Sequence, residues 1–305
     1  MVKTAFLFAG QGAQTLGMCR DLYDRYSIVK ETFDKAYEVL GYDLRNLIDH
    51  QEDKLNQTRY TQPAILTTSV AIYRLLEQEN IQPDMVAGLS LGEYSALVAS
   101  GALSFEEALV LVAKRGEYME LAAPAGSGKM VAVLNTDANL IEGVCSEVTS
   151  GIVSLANYNT PDQIVIGGEV AAVDEAMERL KKEGVKRMIP LNVSGPFHTA
   201  LLKSASDRLA KALETVEFSD FKVPLVGNTE ATIMKKEDIK SLLTRQVMEP
   251  VRFYESIATM RAVGIARVIE IGPGKVLSGF VKKIDKTMDV ITVDNILSFE
   301  ALVAG

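Results

Sequence analysis

Short apolar runs alternate with longer amphipathic stretches over the first 120 residues of the chain. The pattern predicts strands at Thr4–Phe8 and Met85–Gly88, each followed by a helical segment. A further helix is predicted to begin after Ser104, because Ser104 and Glu107 have the spacing of a capping box. Strands that alternate with helices in this way predict an α/β fold with a mostly parallel sheet.

The pattern changes between about residues 127 and 193. Strands and helices there follow the order β-α-β-β-α-β, which is typical of the ferredoxin-like fold. The predicted strands are 129–135, 152–156, 163–167 and 185–191. A turn is predicted over 157–162, and glycine-rich hinges flank the unit. We therefore predict a small domain, 127–193, inserted into a large α/β domain formed by 1–126 plus 194–305.

The large domain continues after residue 200. Two further strands are predicted there, at 223–227 and at 267–271.

The composition is that of a globular protein: 48% of the 305 residues are apolar and 24% are charged. The net charge of −8 argues against nucleic-acid binding, which needs a basic surface. Cys19 and Cys145 are too few for a disulfide framework, and no Cys/His spacing typical of a metal site occurs. The N-terminus resembles a first strand more than a signal peptide, and no run approaches the ~18 apolar residues of a membrane span. We expect a cytoplasmic protein with no metal and no membrane contact.

The segment G-L-S-L-G places Ser90 between Gly88 and Gly92, directly after the second predicted strand and before a helix. This is the context of a nucleophile elbow, in which a sharp turn holds a serine hydroxyl above the end of a sheet. Glycines tolerate such a turn because they lack a Cβ. The alternative interpretation is an ordinary βα turn with a serine cap.

A serine nucleophile needs a base, and the base is most often histidine. The chain has two histidines. His50 lies in the polar segment D-H-Q-E-D-K, which is typical of a solvated loop. His198 follows the second hinge and is expected at the cleft between the domains, so we predict that it is the base. A capping or turn residue is the alternative interpretation of His198.

Acyl transfer also needs donors that stabilise the oxyanion. The backbone N–H of Leu91, the residue after the serine, is the first candidate. The second is Gln11, which lies between two glycines after the first strand. Arg115 follows Lys114 on a predicted helix, where a solvated charge is the ordinary interpretation. Its guanidinium could instead bind a substrate carboxylate through two hydrogen bonds.

Three glycine clusters mimic phosphate-binding loops: G-Q-G-A-Q-T, G-S-G-K-M and G-P-G-K. Each fails the spacing or the strand–helix context of such a loop. A nucleotide cofactor is therefore not expected.

Several segments together resemble the malonyl-CoA:acyl carrier protein transacylases of dissociated fatty acid synthesis, over essentially the whole chain. They are G-Q-G-A-Q, G-L-S-L-G-E-Y, K-R-G, A-N-Y-N-T-P, G-P-F-H-T, R-Q-V-M-E-P-V and I-G-P-G-K-V-L. The resemblance implies a large α/β-hydrolase-like domain with a parallel sheet and an inserted small ferredoxin-like domain.

The resemblance also implies a ping-pong reaction. Ser90, with His198 as base, would take the malonyl group from malonyl-CoA and release coenzyme A. The pantetheine thiol of acyl carrier protein would then take the malonyl group from the serine. No cofactor is implied, since malonyl-CoA and coenzyme A are substrate and product.

Further roles follow from the resemblance. It implies that the backbones of Gln11 and Leu91 form the oxyanion hole and that Arg115 holds the malonyl carboxylate. The main-chain carbonyl of Gln246 would orient the base, so that no third acidic residue is needed. Asn157 matches a position near the path of the acyl group or pantetheine.

One departure from the family concerns Leu89, since most relatives have histidine directly before the serine. We expect its side chain to point away from the nucleophile, so that packing changes and the chemistry survives.

The carrier protein is expected to be acidic, so an acidic enzyme needs a local basic patch. The candidates are Lys181, Lys182, Lys186, Arg187, Lys275, Lys282 and Lys283. We also expect a monomer, and a role in fatty acid rather than polyketide synthesis.

Three alternatives remain open from the sequence. A serine esterase or thioesterase would share Ser90 and His198 but would give Arg115 no role. A non-catalytic module that binds a carrier protein would not need the serine–histidine pair. A transferase of another acyl group, such as methylmalonyl or acetyl, would keep the same chemistry.

Overall fold

The computed structural model describes residues 2–193 and 195–305. Its strands are β1 (Thr4–Phe8), β2 (Met85–Gly88), β3 (Gly128–Leu134), β4 (Val153–Thr160), β5 (Gln163–Glu169), β6 (Met188–Pro190), β7 (Arg267–Ile271) and β8 (Asp289–Val293). Its α-helices are α1 (Arg20–Arg25), α2 (Ser27–Leu40), α3 (Leu44–His50), α4 (Glu52–Leu55), α5 (Thr58–Gln78), α6 (Gly92–Ala99), α7 (Phe105–Ala122), α8 (Ala138–Ser146), α9 (Val170–Lys182), α10 (Lys203–Glu214), α11 (Ile239–Gln246), α12 (Phe253–Ala262), α13 (Val276–Ile284) and α14 (Ile296–Ala304). Short 3₁₀ turns lie at Ala200–Leu202 and Lys236–Asp238.

The larger sheet is parallel, with the strand order β2-β1-β7-β8. Phe8 at the end of β1 pairs with Gly88 of β2 and with Ile271 of β7. The carboxyl ends of these strands therefore lie side by side, at the edge of the sheet where α/β proteins bind their ligands.

Helices cover both faces of this sheet, as a parallel sheet requires. Phe6 and Phe8 belong to an apolar cluster with residues of α5, α6 and α7 on one face. Ala5 and Leu7 belong to a second cluster with residues of α12 and α13. All four side chains are fully buried. The alternation of strands and helices predicted for this part of the chain is confirmed.

The smaller sheet is antiparallel, with the order β4-β5-β3-β6. Helices α8 and α9 pack on it through a third apolar cluster. The chain order β3-α8-β4-β5-α9-β6 is the predicted ferredoxin-like order. The mixed α/β fold, with a parallel sheet and a second small antiparallel sheet, is confirmed.

Two predictions of local structure are wrong. The turn predicted over 157–162 is mostly strand, because β4 continues to Thr160 and pairs with β5 across two irregularities in register. The segment 223–227 is not a strand, because only single-residue bridges join Leu225 to Val86 and Val226 to Ile233. The sequence prediction also lacks β8, the edge strand of the large sheet.

The helix predicted after Ser104 is α7, and Ser104 caps it. The Ser104 hydroxyl accepts from the backbone N–H of Glu107, as in a capping box. The Glu107 carboxylate accepts from that same hydroxyl and not from the Ser104 N–H.

Within the described ranges, no helix is both long and apolar enough to cross a lipid bilayer.

The tight contact between β2 and α6 gives a first prediction. A Cβ on Gly88 would meet the backbone of Gly92 and of Glu93, which cannot move without displacing the turn. Gly88→Ala should therefore lower the free energy of unfolding by about 3 kcal/mol or more. Urea unfolding followed by circular dichroism measures this loss.

Gly143→Ala is the matched control for that substitution. Gly143 is exposed within α8, and a Cβ there meets nothing within 4 Å. The control should be neutral or stabilise the protein by up to about 1 kcal/mol. Equal effects of the two variants would contradict the packing argument.

Candidate active site

The turn after β2 holds Ser90 in the left-handed region, with a φ of 54°. A non-glycine residue adopts this conformation rarely, and mostly where the surrounding structure enforces it. Gly92 approaches the carbonyl of Phe8 so closely that a Cβ would collide with it. Ser90 thus stands between β2 and α6 at the carboxyl edge of the parallel sheet, which is the geometry of a nucleophile elbow.

His198 lies beside this serine. Its Nε2 is 2.8 Å from Ser90 Oγ, and its Nδ1 is 2.7 Å from the main-chain oxygen of Gln246. Because a carbonyl oxygen only accepts, Nδ1 carries the proton and Nε2 is free to accept one from the serine. Burial, and next to it the positive charge of Arg115, lower the pKa of His198 to about 4. The imidazole is therefore neutral, and can act as a base, throughout the physiological pH range.

Arg115 lies in α7 and is 1% exposed, so a solvated charge is excluded at this position. Its Nη2 donates to Ser90 Oγ at 3.1 Å and to Gln246 Oε1 at 3.0 Å. Among the residues that the structure describes, none hydrogen-bonds to its Nε, and its guanidinium lies over the ring of Tyr94, 5.6 Å from the ring centroid. A buried guanidinium with an unused donor beside a nucleophile offers a position for an anionic group.

Gln11 and Leu91 have backbone N–H groups that donate to no protein acceptor in the described part of the chain. Leu91 follows the serine directly, at the N-terminus of α6. The side chain of Gln11 donates to the Thr58 hydroxyl at 3.0 Å and contacts Gln62, so the N-terminus of α5 fixes the loop after β1. Sequence analysis missed Thr58 and Gln62 of α5, because polar residues are common on helices and no local pattern distinguishes these two.

A cavity of about 300 Å³ opens beside Ser90 and His198. Its walls come from the ends of the parallel sheet and from the smaller sheet, which contributes Asn157 of β4. Phe197 and Leu89 also border the cavity. Leu89 packs against the apolar cluster of α12 and α13 as well.

Two further residues of this site were missed by sequence reasoning. Asn228 accepts from the Ser90 N–H at 2.6 Å and donates to the Gly88 carbonyl at 2.6 Å, so it clamps the turn on both sides of the nucleophile. Glu93 accepts from the Asn228 N–H at 2.7 Å and from Gln246 Nε2 at 2.5 Å. Asn228 follows an apolar run that ends at this edge of the sheet, and this was the available signal.

The basic residues proposed for carrier-protein binding lie on several elements. Lys181 and Lys182 are in the last turn of α9, and Lys282 and Lys283 are in the last turn of α13.

In the residues that the structure describes, no cluster of histidine, cysteine or carboxylate side chains is arranged to hold a metal ion.

Comparisons with known proteins agree with this geometry. The model of the acyl transferase domain family matches residues 5–297. The malonyl CoA-acyl carrier protein transacylase of Bacillus subtilis is 48% identical over 299 residues, which are 97% of this chain and 94% of the relative. The crystal structure of MCAT from Streptococcus pneumoniae superimposes with a TM-score of 0.97 at 70% identity, covering 99% of each chain.

A further similar structure is a malonyl-transacylase in complex with its type II PKS acyl-carrier protein. It superimposes with a TM-score of 0.96 at 42% identity, and 99% of each chain is covered. The chain therefore belongs to the acyl transferase family and, within it, to the malonyl CoA-acyl carrier protein transacylases.

The lowered pKa of His198 predicts how the reactivity of Ser90 depends on pH. A serine-directed sulfonyl fluoride should label Ser90 at a rate that stays constant from about pH 8 to about pH 5.5, because a base with a pKa of about 4 remains unprotonated there. Intact mass spectrometry follows the labelling, with Ser90→Ala as the unlabelled control. A rate that falls by half near pH 6.5 would show that His198 titrates as a solvated histidine.

Proposed function

We propose that this chain transfers the malonyl group from malonyl-CoA to the pantetheine thiol of acyl carrier protein, through a malonyl-serine intermediate. The product supplies extender units for fatty acid synthesis. The observation that carries the proposal is the buried Arg115 guanidinium, which lies 3.1 Å from the hydroxyl of Ser90.

The first half-reaction uses the serine–histidine pair. Ser90 Oγ attacks the thioester carbonyl carbon while its proton passes to His198 Nε2, 2.8 Å away. The bond from the carbonyl carbon to sulfur then breaks, and the histidine returns the proton to the leaving thiolate. Coenzyme A departs as a thiol, and the malonyl group remains as an ester of Ser90.

The negative charge that develops on the carbonyl oxygen needs donors that are already in place. The unused N–H groups of Gln11 and Leu91 are suited to this task, one from the loop after β1 and one from the start of α6. Both are fixed by the fold before substrate arrives, so little reorganisation is needed at the moment of reaction.

Arg115 makes the site suited to a malonyl group. An acetyl group has no carboxylate, and a neutral ester offers no charged acceptor to the buried guanidinium. The free carboxylate of malonyl can accept from the guanidinium, which has five donors in a planar arrangement. A general esterase or thioesterase has no use for this arrangement.

The second half-reaction reverses the first with a different thiol. The pantetheine thiol of the carrier protein gives its proton to His198 and attacks the ester carbonyl. The bond to Ser90 Oγ breaks, and the serine recovers its proton from the histidine. The carbonyl of Gln246 holds Nδ1–H in place throughout, so the imidazole can accept and return protons in one orientation.

We further propose a role for Asn157, a division of the chain into two domains and the state in which the enzyme works. Asn157, which borders the cavity, lies along the path of the acyl group or pantetheine. The domains are 1–126 plus 194–305 and 127–193, although Ser194 at one boundary lies outside the described residues. The enzyme works as a cytoplasmic monomer and needs no cofactor, since every proton and electron pair is accounted for by the residues above and the two thiols.

Intact mass spectrometry after mixing the protein with malonyl-CoA, without carrier protein, tests this proposal. We expect one malonyl adduct per chain, and none in Ser90→Ala, because the serine is the acceptor in the first half-reaction. Addition of the phosphopantetheine form of acyl carrier protein should remove the adduct and give malonyl carrier protein. Steady release of free malonate would indicate a hydrolase, and absence of both adduct and turnover a binding module.

Arg115→Ala tests the choice of acyl group. The variant should lower malonyl transfer by about 100-fold or more, because it removes the charged partner of a buried carboxylate. Acetyl transfer should be unchanged or faster, since the acetyl group has no carboxylate for the guanidinium to bind. The measurement is kcat/KM for both acyl-CoA substrates.

Lys114→Ala is the matched control, because Lys114 is exposed and adjacent to Arg115 on α7. It should leave both rates as they are. Equal losses of malonyl and acetyl transfer in Arg115→Ala would remove the role of Arg115 as a carboxylate clamp.

A further inference from the structure

Glu93 is a buried carboxylate that the reaction above does not use. It lies in the first turn of α6, three residues after the nucleophile, and is 1% exposed. In the described part of the chain no lysine or arginine forms an ion pair with it. A carboxylate buried without an ion pair costs free energy. Its position beside the nucleophile therefore needs an explanation.

The two oxygens of Glu93 accept from two residues that hold different parts of the site. One accepts from the N–H of Asn228, whose side chain clamps the turn at Ser90. The other accepts from Gln246 Nε2. Gln246 in turn contacts Arg115 through Oε1 and His198 through its main-chain oxygen.

The Glu93 carboxylate and the Ser90 carbonyl together set which way the Gln246 amide faces. Because an ionised carboxylate only accepts hydrogen bonds, the amide must present its NH₂ group to Glu93. The same NH₂ group donates to the carbonyl of Ser90 at 2.9 Å. The amide oxygen is thereby directed at Arg115, from which it accepts at 3.0 Å.

Glu93 also balances the charge of Arg115 without contacting it. Burial raises the pKa of Glu93 to about 7, and the attraction of Arg115 acts against this rise. A direct ion pair would occupy the donors of the guanidinium. A carboxylate placed one amide away stabilises the cation, and the Nε of Arg115 has no hydrogen-bond partner within residues 2–193 and 195–305.

We propose that Glu93 is a positioning residue that sets the selectivity of the site for acyl groups carrying a carboxylate. It acts through Gln246, by holding the amide oxygen toward Arg115 and by balancing the buried positive charge. This inference rests on the proposed function, because it needs Arg115 to hold the malonyl carboxylate.

Glu93→Gln removes the charge and keeps the shape. The new amide can accept from the Asn228 N–H only by turning its NH₂ toward Gln246, so two donors would face each other. Gln246 would then lose the carboxylate acceptor that helps to hold its amide oxygen toward Arg115. We expect the ratio of malonyl to acetyl kcat/KM to fall about tenfold or more, mostly through the KM for malonyl-CoA, with a smaller change in kcat.

Glu93→Asp and Asp49→Asn are the comparison variants. The aspartate keeps the negative charge, so it should retain more of the selectivity than the glutamine variant. Asp49 is a carboxylate whose side chain is 8% exposed and pairs with Arg45 in α3, outside the site. Asp49→Asn should lower the melting temperature and leave the selectivity ratio as it is. A folded Glu93→Gln enzyme with an unchanged ratio would overturn the proposal.

The unmodified protein provides a second test, which does not depend on whether a variant folds. Protonation removes the charge of Glu93 and turns one of its two acceptor oxygens into a donor, so the malonyl-to-acetyl ratio should fall as the pH is lowered from about 8 to about 6. The other titratable or charged groups near Glu93 are Arg115, Tyr94 and His198. Burial raises the pKa of Tyr94, which therefore stays neutral in this range, and an arginine guanidinium stays protonated. His198 serves both acyl groups equally, so its effect cancels in the ratio.

A ratio that stays constant over this pH range would also overturn the proposal. Failure of the proposed function is recognised separately, because the unmodified protein would then form no malonyl adduct at Ser90.

Discussion

The close approach of the turn at Ser90 to the end of β1 is the constraint on which the site depends. Gly92 packs against the carbonyl of Phe8, and Gly88 packs against Gly92, so the backbone around the serine has no freedom to relax. The left-handed conformation of Ser90 is enforced by this packing and by Asn228. The parallel sheet thus stores the strain that keeps the hydroxyl exposed to the cavity.

Burial then determines the electrostatics of everything that surrounds the serine. Arg115, His198 and Glu93 are all nearly inaccessible to water. Burial disfavours the charged form of each, which lowers the pKa of Arg115 and of His198 and raises that of Glu93. Gln246 lies at the centre of this group, because it contacts all three and the serine as well. A neutral amide can join them since it both donates and accepts.

The sequence predicted the fold where local patterns and tertiary packing agree. The apolar strands β1 and β2, the capped helix α7 and the ferredoxin-like order could be predicted, because each has its own periodicity or capping residue. The extension of β4 past Asn157 could not, since it depends on pairing with β5 and on a bridge to Val251. The segment 223–227, which was predicted to be a strand, forms only single-residue bridges to its neighbours.

The same distinction applies to the site. Ser90 stands in a local motif, and the scarcity of histidines directs attention to His198. Glu93 and Asn228 act through contacts between segments that are 135 residues apart, and no local pattern distinguishes them from a helix-start carboxylate and a loop amide. Arg115 lies between these cases, because its sequence context is that of a surface charge and only the packing of α7 shows that it is buried.

The use of a main-chain carbonyl to orient His198 follows from the presence of Arg115. A carboxylate in that position would raise the pKa of the imidazole and would lie close to the guanidinium. It would then pair with Arg115 and compete with the carboxylate of a substrate for the same donors. The carbonyl of Gln246 fixes the tautomer of His198 without adding a charge. A site that binds an anionic acyl group next to its nucleophile therefore has a physical reason to work with a dyad, and to keep the carboxylate of Glu93 behind an amide.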